Sequence, residues 1–143
     1  MDSLAVILFC ILVLIAGMHF YWAFGGFWPG KDEVSLARIV VGEKNISRMP
    51  SRLLTLAVVA AIFAASIWPL MWRSIIPYFL PQGLLWLGMV ALALVFLGRG
   101  VVGYLPVFTD NACAQPFARL NALYFSPLCL IIGASFVMLL LYV

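Results

Sequence analysis

Charge is what this sequence has least of. Eight basic and five acidic residues make up 9% of its 143 positions, against about 25% in an ordinary soluble domain. The composition therefore excludes a water-soluble globular fold. Four stretches contain no Asp, Glu, Lys or Arg at all: Ser3 to Gly30, Leu53 to Trp72, Ser74 to Gly98 and Leu120 to Val143. Each is long enough to span a bilayer, because a helix rising ~1.5 Å per residue needs about 20 apolar residues to cross ~30 Å of hydrocarbon. Backbone N–H and C=O groups find no partner in lipid, which requires helices here. The alternation of a barrel strand is missing.

Cysteine is also scarce. Cys10, Cys113 and Cys129 form no Cys-x-x-Cys pair, so neither a disulfide framework nor a zinc site is expected. A single histidine, His19, cannot make a metal site alone, and a haem on it would need a second axial ligand from elsewhere. No nucleophile elbow, phosphate loop, zinc-hydrolase motif or dinucleotide fingerprint is present, and the residues name no cofactor. The lack of an acidic residue inside any span, and of paired broken helices, argues against a transporter. Basic residues form no stripe with interleaved aromatics, which excludes nucleic acid as a partner.

What is present is topology information. Lys31, Arg38, Lys44, Arg48 and Arg52 follow the first span, Arg99 and Arg119 flank the connection after the third, and only Arg73 stands on the opposite side. By the positive-inside rule the seven-to-one side is cytoplasmic, which places both termini outside. Asp2 stands where a secretory signal would be basic, and the first apolar run continues through Phe24. That span is expected to stay attached. On this orientation Asn45-Ile46-Ser47, which fits a glycosylation sequon, lies inert in the cytoplasm.

The expected fold is all-α, one domain over residues 1–143, with four transmembrane helices at about 4–24, 51–72, 83–99 and 116–143. Aromatics from Phe20 to Trp28 mark the headgroup level, as do Trp68 and Trp72. The Lys31 to Pro50 loop has room for a short interfacial helix with Leu36, Ile39 and Val40 on one face. Ala57, Ala61 and Ala65, with Ala60 and Ala64, recur every four residues and are read as packing inside the bundle, a homodimer face being the alternative. Pro77 and Pro81 close a short outer turn, and Val101 to Gln115 reads as irregular. Pro127 is placed inside the fourth helix, where its missing N–H should free the carbonyl of Leu123.

Polar groups in a span are costly, and each invites a functional reading. They gather toward the cytoplasmic side: His19, Tyr21 and Trp22 at the end of the first helix, Arg99 and Tyr104 after the third, Asp110 in the next loop, Tyr124 and Ser126 in the fourth helix. These eight are the candidate ligand-binding residues. His19 suits proton transfer or a ligand, although a histidine bonded to a neighbouring helix is the simpler reading. Arg99 suits an anion or headgroup, with snorkelling as the simpler alternative and Asp110 as a counter-ion of undetermined distance. Because alternating spans bring their ends to one side, His19, Arg99 and Tyr124 are expected to converge on one pocket.

Three strings, His19-Phe20-Tyr21-Trp22-Ala23-Phe24-Gly25-Gly26, Arg99-Gly100-Val101-Val102-Gly103-Tyr104 and Tyr124-Phe125-Ser126-Pro127-Leu128-Cys129-Leu130, resemble a bacterial family of short four-helix membrane proteins of unknown function. Phe125 stands where a second tyrosine is expected of that family. The resemblance implies the fold and the location of a site, and it supplies no reaction. Two functions follow from the residues. One is a non-catalytic accessory or scaffold component, with membrane lipid and other membrane subunits as partners, favoured by the sparse polar inventory. The other is a binder of, or small enzyme acting on, a quinone, isoprenoid or lipid, favoured by the one-sided grouping of polar residues.

Overall fold

A computed structural model describes residues 1–106 and 114–142. Their elements are α1 (Asp2–Ala23), α2 (Glu33–Val40), α3 (Arg52–Trp72), α4 (Gln82–Val102), α5 (Phe117–Leu120), a wide π turn (Asn121–Phe125) and α6 (Ser126–Leu141). No strand occurs among the described residues. α1, α3, α4 and the run Phe117–Leu141 are long and apolar enough to cross a membrane, and the chain is an all-α, four-helix membrane bundle.

The bundle is built from two helix pairs. α1 packs along α3 and α4 along α6, with lighter contacts between α3 and α4 and between α1 and α6. Ala5, Leu8 and Leu12 of α1, Ala65 and Leu70 of α3, Met89 and Ala93 of α4, and Ile132, Phe136 and Leu139 of α6 form the buried apolar core. Apart from Ala93 and Ile132, near the middle of their helices, they come from the first half of α1 and α4 and the second half of α3 and α6, so the core lies toward the end of the bundle that carries the termini.

Polar bonds tie that end together. Arg73, just past α3, pairs with Asp2 at 2.9 Å and donates to the Tyr142 carbonyl at 3.4 Å. Trp72 donates its indole N–H to the carbonyl of Leu139 at 2.9 Å. Leu139 lies in the last turn of α6, where carbonyls have no intrahelical donor, so the indole caps a helix end as well as packing against it. Trp68 reaches α4 with its own indole N–H, donating to the Leu85 carbonyl in the first turn at 3.0 Å.

The alanine row of α3 is not an internal packing face. Ala57, Ala60, Ala61 and Ala64 are exposed and only Ala65 is buried, which corrects the expectation from spacing. Close approach is instead made by glycines of the other pair. A side-chain carbon on Gly100 would strike Leu130, and one on Gly133 would strike Leu97. Each helix thus offers a hole for the other's leucine, the packing expected where apolar lipid supplies no drive to associate.

α2 begins at Asp32, whose carboxylate accepts from the Ser35 backbone N–H at 2.7 Å while the Ser35 hydroxyl accepts from the Asp32 N–H at 3.0 Å. This reciprocal cap satisfies two donors left open at a helix start. Bonds from the Ser35 backbone and then its hydroxyl hold the Asp32 carboxyl below the usual carboxylate range. Any stabilisation from this cap is present above the ordinary carboxylate range and is lost as pH falls through the lowered value. Leu36 and Ala37 are buried while Arg38 is exposed, an amphipathic placement that lays α2 beside α5.

α4 continues to Val102, past the expected end near Arg99, so the start of the stretch read as irregular is helical.

Candidate functional site

The fourth span contains both a proline and a change of helical register. The Ser126 N–H bonds the carbonyl of Asn121, five residues back. With the Ser126 N–H spent on Asn121 and no N–H on Pro127, the carbonyl of Ala122, next to the Leu123 carbonyl that α geometry leaves open, has no helical donor. The Tyr104 hydroxyl takes its place, donating to Ala122 O at 3.0 Å. Tyr104→Phe should therefore cost about 1 kcal/mol. Pro127→Ala supplies a backbone donor, and in that background the same change should cost less than half as much. Unfolding of the four proteins by SDS titration checks the coupling, and strictly additive costs would refute it.

Below Tyr104 lies a buried polar cluster. Arg99, in the last turn of α4, donates from Nη2 to Asn121 Oδ1 at 2.9 Å. Asn121 donates from Nδ2 to the Gly103 carbonyl at 2.8 Å. That carbonyl lies past the end of α4 without an intrahelical donor, and a guanidinium there also complements the negative end of the helix dipole. Ser126 Oγ is buried against Gly103 and has no hydrogen-bond partner among the described residues. Asn121 is 1% exposed and is the residue that sequence reasoning missed. Its signal was available: it is the only side-chain amide in the fourth span, where an unpaired amide would be costly.

His19 belongs to the other pair. Its Nδ1 bonds the Ile15 carbonyl at 2.8 Å, and its ring lies 4.9 Å from that of Trp22. Trp22 in turn donates to the Trp28 carbonyl at 2.8 Å. His19 and Trp22 line a cleft of about 240 Å³ whose other walls include Val41, Met49, Leu54 and Val58. Arg52, at the start of α3, stacks its guanidinium 4.0 Å from the centre of the Phe24 ring. A second hollow, of about 270 Å³, lies along α2 beside Asp32 and Ser35, side chains already engaged in the cap.

The eight candidates thus fall into separate groups. Arg99, Tyr104 and Ser126 come together around Asn121, while His19 and Trp22 meet at the cleft between α1 and α3. Tyr21 is 46% exposed and rests its ring on Gly26. Tyr124, 62% exposed, turns outward from the π turn. Asp110 lies outside the described residues. Among the described residues no three His, Cys, Asp or Glu side chains are grouped to hold a metal.

No curated protein and no solved structure matches the chain. The sequence profile of the family described as "Protein of unknown function (DUF3995)" matches residues 12–136. A match over most of its length, to a chain that folds as four apolar helices, shows that this protein belongs to that family.

Proposed function

We propose that this protein is a non-catalytic component of the bacterial inner membrane, an accessory or scaffold subunit, inserted with both termini outside. The observation that carries this reading is the use made of polar side chains within and at the ends of the spans. Arg99 with Asn121, Tyr104, Trp68, Trp72 and His19 all bond to backbone carbonyls or to each other. Those of Arg99, Asn121, Tyr104, Trp68 and Trp72 stabilise helix ends and helix contacts, and that of His19 stays within α1. A catalyst acting on a hydrophobic molecule is less well supported, because His19 and Arg99 make their contacts in different helix pairs.

Purification in mild detergent should yield a stoichiometric protein partner identifiable by mass spectrometry. Recovery of the chain alone, under conditions that preserve known complexes of the same membrane, would count against a subunit role. The orientation has its own test. Arg73 is paired with Asp2, so the lone basic residue at the termini end is offset by an acidic one. A reporter fused after Val143 should be active outside the cytoplasmic membrane, and cytoplasmic activity would reverse the assignment.

A further inference from the structure

The cleft at His19 offers a hydrogen-bond acceptor while its donors are engaged elsewhere, an asymmetry that selects among ligands. The Ile15 carbonyl can only accept, so His19 Nδ1 must carry the proton that bonds it. A neutral imidazole then presents Nε2 as an acceptor. Nε2 lies on the edge of the ring opposite Nδ1, which is turned back to the α1 backbone. The other donors around the cleft are committed as well. Trp22 gives its N–H to Trp28, the Thr55 hydroxyl gives its proton to the Ser51 carbonyl at 3.1 Å, and the Met49 N–H bonds Glu33 at 3.1 Å.

The shape of the cleft narrows the class further. At about 240 Å³ it is smaller than the ~300–1,000 Å³ pockets that enclose a drug-sized ligand. A ring-sized head fits, without a tail. Trp22, the imidazole of His19 and the thioether of Met49 are surfaces on which a flat aromatic ring packs well. Leu54 and Val58 line the cleft and are also exposed along α3, at 58% and 37%. An apolar tail can therefore leave along that helix into lipid.

We infer that this cleft binds the hydroxylated aromatic head of a lipid-soluble molecule, and that it takes a quinol in preference to the corresponding quinone. The hydroxyl donates to His19 Nε2, whereas the quinone carbonyl, an acceptor, finds the named donors already committed. This goes beyond the proposed subunit role and rests on α1, α3 and the segment that joins them.

The test uses the full chain in lipid nanodiscs under anaerobic conditions. Three probes are titrated by calorimetry: a decyl-tailed hydroquinone, its quinone and its dimethyl ether. The hydroquinone should bind roughly three- to tenfold more tightly than the other two, the ratio expected of one neutral hydrogen bond. His19→Phe keeps a ring but loses the acceptor, and should bring all three probes to the same affinity. Val58→Trp should fill the cleft and weaken all three. Equal binding of quinol and quinone by the unmodified protein overturns the inference. So does the absence of binding by any probe, or a preference that survives His19→Phe at unchanged helix content. If the variants fail to fold, the three probes on the unmodified chain still decide, and none of these results depends on whether a protein partner is found.

Discussion

Replacing Asn121 with leucine is expected to destabilise the folded protein by about 2–4 kcal/mol, the sum of a hydrogen bond to a charged donor and one between neutral groups. The side chain bonds Arg99 and the Gly103 carbonyl at once. Leucine has similar bulk but leaves both groups without this partner in a buried place, where the desolvation cost is not recovered. Asn121→Asp separates the two bonds. It keeps an oxygen for Arg99 but sets an anion against the Gly103 carbonyl, so its cost should depend on how much of the cluster's strength lies in the guanidinium bond. Denaturant unfolding in detergent, read by circular dichroism, measures both variants. A leucine variant as stable as the parent would show that the cluster does not hold α4 to the fourth span. A variant fully folded but inactive in cells would move Asn121 from structure to function.

The second large effect is steric. A side-chain carbon on Gly103 would run into Ser126 Oγ, Asn121 Nδ2 and Arg99 Nη1. Ser126 and Asn121 are short side chains on a helical backbone and have little room to withdraw. Gly103→Val should therefore cost at least the ~1–3 kcal/mol typical of overpacking, with the polar bonds disturbed in addition. Gly103→Ala in a Ser126→Ala background should be milder than Gly103→Ala alone, because one of the three obstructions has gone. Gly83→Ala is the control, since nothing lies within 4 Å of the position its added carbon would take. The same unfolding assay ranks them. Equal stability of Gly103→Val and Gly83→Ala would remove the close approach of α4 to the π turn from the account.

These two sites show why the spans were legible in the sequence and their pairing was not. Each span announces itself by the absence of charge, because lipid penalises a charge wherever it points. Which face meets which helix carries no such penalty: an alanine facing lipid and an alanine facing a helix are both acceptable. The four-residue alanine repeat of α3 was therefore ambiguous, and Ala57, Ala60, Ala61 and Ala64 are exposed. The glycines at positions 100, 103 and 133 make the close contacts instead.

The polar candidates were read by depth alone. Depth brings His19 and Arg99 to one end of the bundle, and that much follows from alternating spans. It does not say that one packs within α1–α3 and the other within α4–α6. Asn121 lay close to the expected helix start, where a polar residue excites no suspicion. The π turn spends the Ser126 N–H on Asn121, which opens the Ala122 carbonyl and gives Tyr104 its partner. A proline in a sequence says that a donor is missing, whereas the register that decides which acceptor suffers depends on the packing around it.

The pairing of consecutive spans also orders events during synthesis. α1 and α3 find each other without the second half of the chain, so they can associate while the later helices are still being made. The indole of Trp72 and the guanidinium of Arg73 must wait, because their acceptors at Leu139 and Tyr142 lie at the far end of the fourth span, which is made after the other three. Closure of that end of the bundle thus follows the synthesis of the fourth span. Until it happens, a nascent chain holds two hydrogen-bond donors at the membrane edge with those acceptors not yet made.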